Sequence, residues 1–149
     1  VALTFDAADA GSMASTAAAL ERRALPATFL VATGEIDASS VAAWASLRAL
    51  RSDRLELGSR TVSGQSLAGR SLEQWRIELV ESLRRMEQML ESPCLTLAFP
   101  GPRDASLPDL IVESGLAGYR LALSQRATCC CPTIAAHSRT SSGSKCAEP

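Results

Sequence analysis

Along residues 1–124, short apolar runs alternate with stretches whose apolar positions recur every three to four residues. Val1-Ala2-Leu3-Thr4-Phe5 is a brief apolar run closed by an acid, the pattern of a buried strand. Residues 12–24 read as a helix capped by Ser12 or Ser15, with Leu20 and several alanines on its apolar face. Residues 27–32 make a second buried strand, closed by Thr33 and Gly34. Ser39 or Ser40 caps a helix running through Val41, Trp44, Leu47 and Leu50, and residues 55–57 form a short third strand before Gly58.

The strongest helical signal follows. Ser71 and Gln74 have the spacing of a capping box. Leu72, Trp75, Leu79, Leu83, Met86 and Leu90 then build one apolar stripe, and Pro93 stops it. Trp44 and Trp75 lie on such stripes and read as core rather than as ligand platforms. Residues 95–99 are a strand, 106–114 a short helix and 118–124 another strand. Strands alternating with helices predict an α/β fold, a parallel sheet or barrel with covered faces.

From Gln125 this rhythm ends. Residues 125–149 are rich in Ser, Thr and Cys and follow neither period. The chain therefore divides into a domain of residues 1–124 and an irregular or disordered tail of residues 125–149. Because the tail begins where another helix is due, a second reading stays open: it is foreign to the fold, as after a frameshift or a truncation.

Composition narrows the function classes. A chain that is 46% hydrophobic and 21% charged can bury a core. A net charge of −1 gives no electrostatic basis for binding nucleic acid or an anionic membrane. No stretch approaches the roughly 20 apolar residues of a membrane span. Aromatic residues make up only 4%, a poor supply of stacking faces for sugars. The five cysteines, Cys94, Cys129, Cys130, Cys131 and Cys146, lack zinc-knuckle spacing and read as incidental, so the compartment stays open.

Several segments in order resemble the polysaccharide deacetylase family, carbohydrate esterase family 4 with its NodB homology domain. The run from Val1 to Asp6 is similar to the family's opening strand, which ends in Thr-Phe-Asp-Asp. Residues 25–31, Leu-Pro-Ala-Thr-Phe-Leu-Val, resemble its second strand. Residues 57–67 align with the stretch Ile-Gly-Asn-His-Thr-x-x-His-x-x-Leu. Residues 71–75 match the helix start that follows, residues 98–100 the Arg/Ala-x-Pro of the third motif, and residues 118–122 the later Gly-Tyr strand.

This resemblance implies a distorted (β/α) barrel of about seven strands, here partial with about five parallel strands present. It also implies a reaction. A divalent metal, usually zinc, held by one aspartate and two histidines, polarises an N- or O-acetyl carbonyl and activates water. A second aspartate acts as base and a distant histidine as acid. Asp6 stands at the base position. The three former metal-ligand positions hold Ala7, Arg60 and Gly64, so no metal is expected. Asp9, imagined as a shifted ligand, has no imidazole partners, and Ala98 replaces the arginine that orients the base. The sole histidine, His137, lies in the tail, too close after Tyr119 to be the family's acid.

Thr61 and Pro100 are expected to flank a vestigial pocket. If Asp6 and Arg60 both project into it, an ion pair fills the metal's place. The expectation is therefore a catalytically inactive deacetylase-like domain, with an N-acetylated glycan as the partner the family implies. Alternatives are a hydrolase working in an unorthodox way around Asp6, and a non-enzymatic structural or partner-binding α/β domain. Open barrel edges also allow self-association. Family members are often secreted or associated with the cell envelope.

Overall fold

The computed structural model describes residues 3–6, 10–36, 40–101, 107–124 and 129–130. Six strands form one sheet in sequence order: β1 (Leu3–Asp6), β2 (Ala27–Val31), β3 (Leu55–Ser59), β4 (Thr96–Ala98), β5 (Leu121–Leu123) and β6 (Cys129–Cys130). The first five are parallel and curl into a half-barrel. Between them run α1 (Ala10–Glu21), α2 (Val41–Ala49), α3 (Leu72–Leu90) and α4 (Leu107–Ala117).

Strand alternation decides which side chains meet the helices. Ala27, Phe29, Val31, Leu55, Leu57, Leu97 and Ala122 join Trp44, Leu47, Leu79, Met86 and Leu110 in one core, with Leu3 and Phe5 packed against it. The Phe5 and Phe29 rings lie 5.6 Å apart and fasten β1 to β2. Trp44 is 1% exposed and Trp75 8%, so both tryptophans are core. Cys94 is buried against the Leu57 and Thr96 carbonyls, and burial pushes its thiol up to about 12, so its contribution here is packing.

Local signals account for most boundaries. The Ser40 hydroxyl accepts from the Ala43 N–H at the start of α2. At α3 the full capping box is present: Ser71 Oγ accepts from Gln74 N, and Gln74 Oε1 accepts from Ser71 N. Glu91 in the left-handed conformation (φ 53°) ends α3, two residues before the proline expected to do so. α1 begins at Ala10, ahead of the serines expected to cap it, and stops at Glu21, with Ala24 at φ 52° in the turn that follows. β6 was not legible as a strand. It is two residues long and antiparallel to β5, held by edge hydrogen bonding rather than by any side-chain pattern.

Among the described residues, no helix is long and apolar enough to cross a membrane.

Candidate functional site

The carboxyl ends of β1 and β3 bring Asp6 and Arg60 together. Asp6 is the last residue of β1, and Arg60 follows β3 directly. The Arg60 N–H donates to Val31 O at 2.7 Å, extending the β2–β3 ladder one residue beyond the strand. Arg60 Nη1 then lies 3.2 Å from Asp6 Oδ2, with the side chains 29% and 55% exposed. A concavity of about 230 Å³ opens around the pair, walled by Leu30, Ala98, Phe99 and Leu123, with Thr4 and Ser124 at its edge. In parallel α/β sheets the carboxyl ends of the strands are where ligands sit. A larger concavity of about 370 Å³, beside Thr28, Arg54 and Glu56, is at the opposite ends.

The loop from residue 60 to residue 71 is tied down at several points. Thr33 N donates to Thr61 O, and Gly34 N donates to Val62 O at 2.7 Å. A Cβ on Gly34 would fall 2.7 Å from Val62 O, so this approach requires glycine. Thr61 is fully buried at φ 63°, a strained conformation for a β-branched residue, and Gly64 lies at φ 65°. The hydroxyls of Thr33 and Thr61 are buried without a hydrogen-bond partner. Glu78 of α3, 8% exposed, accepts from the N–H groups of Val62 and Ser63 through Oε2, both at 2.9 Å. Its Oε1 accepts from Arg70 Nη1 at 2.8 Å. Burial alone would raise the Glu78 carboxyl, but the bonds from Ser63 and Arg70 outweigh it and hold the group below its ordinary range. Trp75 Nε1 donates to Leu67 O and pins the far part of the loop.

The sequence-derived positions therefore separate into groups. Asp6, Arg60 and Ala98 line one concavity. Thr61 and Pro100 are buried and stand outside its lining. Ala7, Asp9 and His137 lie outside the described residues. Thr4, Ser124 and Glu78 were not anticipated, although the sequence holds a signal for Thr4 and for Glu78. Thr4 shares the face of Asp6 by strand alternation, and Glu78 interrupts the apolar stripe of α3. Among the described residues, no three His, Cys, Asp or Glu side chains are grouped to hold a metal ion. Among the described residues, the polar groups at the concavity are one carboxylate, two hydroxyls and a guanidinium, a set that does not fit a divalent cation.

A half-barrel of parallel strands with its concavity at their carboxyl ends is an α/β architecture that many unrelated activities share, so the family rests on other findings. The polysaccharide deacetylase family profile matches residues 1–119, and the chain belongs to that family. No curated protein matches it. A Streptococcus pyogenes deacetylase, PplD, solved in complex with acetate, is 20% identical with a TM-score of 0.65, over 78% of this chain and 52% of its own. A carbohydrate esterase family 4 pseudoenzyme from Bacillus anthracis is 14% identical with a TM-score of 0.68, over 82% of this chain and 42% of its own. A mutant of that pseudoenzyme with restored enzymatic activity superposes with a TM-score of 0.66, at 14% identity over 83% of this chain and 42% of its own. A family 4 acetyl xylan esterase from Clostridium thermocellum, in complex with a cobalt ion, is 16% identical with a TM-score of 0.57, over 83% and 71%. The chain spans about half the length of the first two of these proteins.

Proposed function

We propose that this polysaccharide-deacetylase-like domain does not carry out the family's metal-dependent reaction and that its remaining role is to bind an N-acetylated glycan. One observation carries the reading. Arg60, at the position the resemblance gives to the first histidine, places a permanent cation 3.2 Å from the Asp6 carboxylate. A divalent ion brought there would meet that charge, and among the described residues of the concavity Asp6 is the only carboxylate to offset the repulsion. Asp6 can still accept a hydrogen bond from water or from a sugar hydroxyl, since its side chain is half exposed. Without an electrophile for the acetyl oxygen, that contact alone does not activate water. The pseudoenzyme from Bacillus anthracis, with its reactivated mutant, is a precedent for the loss of activity, though not for glycan binding, among proteins of this fold.

Zinc titration of the purified chain by calorimetry, with acetate release from N-acetylglucosamine oligomers, tests the proposal. No stoichiometric zinc and no acetate are expected. Either one would overturn the inactive reading. Retention on chitin or peptidoglycan without turnover supports glycan binding, whereas no retention favours a structural or partner-binding domain. Among the described residues the outer edge of β1 has no neighbouring strand, so self-association through that edge belongs to the same proposal. Light scattering after size exclusion would show it as a dimer mass, and a monomer mass at every concentration would reject it.

A further inference from the structure

We propose that Glu78 is a positioning residue that fixes the 60–64 loop and thereby sets Arg60 against Asp6. This rests on the reading that positions 60 and 64 are the former ligand positions, but its test is independent of any metal. Glu78 belongs to α3, away from both site residues in sequence, and occupies the core-facing side of that helix. A carboxylate at such a position costs desolvation unless its oxygens are fully used. Here they are: one oxygen takes two successive backbone N–H groups and the other takes the Arg70 guanidinium.

The two N–H groups it binds, those of Val62 and Ser63, follow immediately after Thr61, whose positive φ turns the chain out of β3. An α-helix-borne anion gripping consecutive amides holds a bend that a buried threonine would not adopt freely. The same bend keeps Arg60 hydrogen-bonded to β2 while its side chain reaches β1. Glu78 touches neither Asp6 nor Arg60, so its effect on the pair passes through the loop.

The test uses the full chain and NMR. In the native protein, the amide resonances of Val62 and Ser63 should follow the titration of the Glu78 carboxyl as pH falls. If neither follows it, the proposal fails without any variant being made. In Glu78→Ala, hydrogen exchange at these two amides should accelerate at least tenfold while Leu83 and Met86 keep their native rates. Glu78→Gln, which keeps an acceptor oxygen, should restore most of that protection. Asp6→Asn should shift the Arg60 guanidinium resonances in the native background and not in Glu78→Ala. Acceleration spread evenly along α3, or an Asp6→Asn shift unchanged by Glu78→Ala, would reduce Glu78 to a general stabiliser and overturn its positioning role.

Discussion

Asp6 and Arg60 stand 54 positions apart in the chain and 3.2 Å apart in space, joined across the ends of β1 and β3 with β2 between them. Both groups are partly in solvent, which limits what the pair contributes. Exposed pairs contribute about 0.2–1 kcal/mol and weaken with salt. A double-mutant cycle on Asp6→Asn and Arg60→Ala, read by urea denaturation, should give a coupling within that range. The coupling should shrink by at least half in 1 M sodium chloride. A salt-independent coupling several-fold larger would mean the pair is shielded from water, contrary to its exposure.

Rebuilding a metal site meets a backbone obstacle at one position. On the proposed reading, the combined variant Ala7→Asp, Arg60→His, Gly64→His supplies the ligand types that the resemblance implies at these positions. Gly64, however, lies at φ 65°, and a Cβ there would come 3.0 Å from Ala32 Cβ. Gly64→His alone should therefore lower stability by about 1–2 kcal/mol, the usual cost of a side chain in left-handed backbone. Differential scanning fluorimetry would record this as a lower Tm. An excess of zinc should restore the Tm of the combined variant and leave that of the native chain unchanged.

The longest helix offers two separable tests. Ser71→Ala removes the cap and half of the capping box, and should cost about 1 kcal/mol. Leu79 is fully buried beneath the sheet, and Leu79→Ala should cost about 2–5 kcal/mol through the cavity it leaves. Urea denaturation of both variants checks the order. A larger loss from the cap than from the core would contradict the packing.

Acid should loosen α3 in a defined window. Arg84 and Arg85 pair with Glu81 and hold its carboxyl at about 2, below the ordinary 4.5. A carboxyl depressed by folding stabilises the folded state above its unfolded value, and that contribution disappears as pH falls through the folded value. Glu78 is shifted in the same direction. Stability should therefore be flat above about pH 5 for these groups and decline from there toward pH 2. Glu81→Gln should remove only part of the decline, measured as Tm against pH, because Glu81 is partly exposed and its pairs are partly screened. An identical pH profile in Glu81→Gln and the native chain would exclude Glu81 as a source.

Much of the fold was legible in the sequence because its signals are local. The apolar run of β2, the stripe of α3 and the Ser71–Gln74 box each depend on residues only a few positions apart, and each is present in the structure. Family membership was readable for the same reason, since short motifs in a fixed order carry it. Boundaries were less legible. Ala24, Thr61 and Glu91 leave the right-handed region without being glycine, and no propensity announces that.

What the sequence by itself determined is the identity of the groups available: an aspartate at the end of the first strand, and Ala7, Arg60 and Gly64 at the positions where the resemblance leads one to expect ligands. Only the tertiary structure decided which of them meet. Parallel pairing across β1, β2 and β3 aligns strand ends from distant parts of the chain, so Arg60 reaches Asp6, while Thr61, its immediate neighbour, is turned into the core. For Glu78 the sequence offers only an acid within the apolar stripe of α3; that its partners are the 62–63 amides depends on where the helix docks on the sheet.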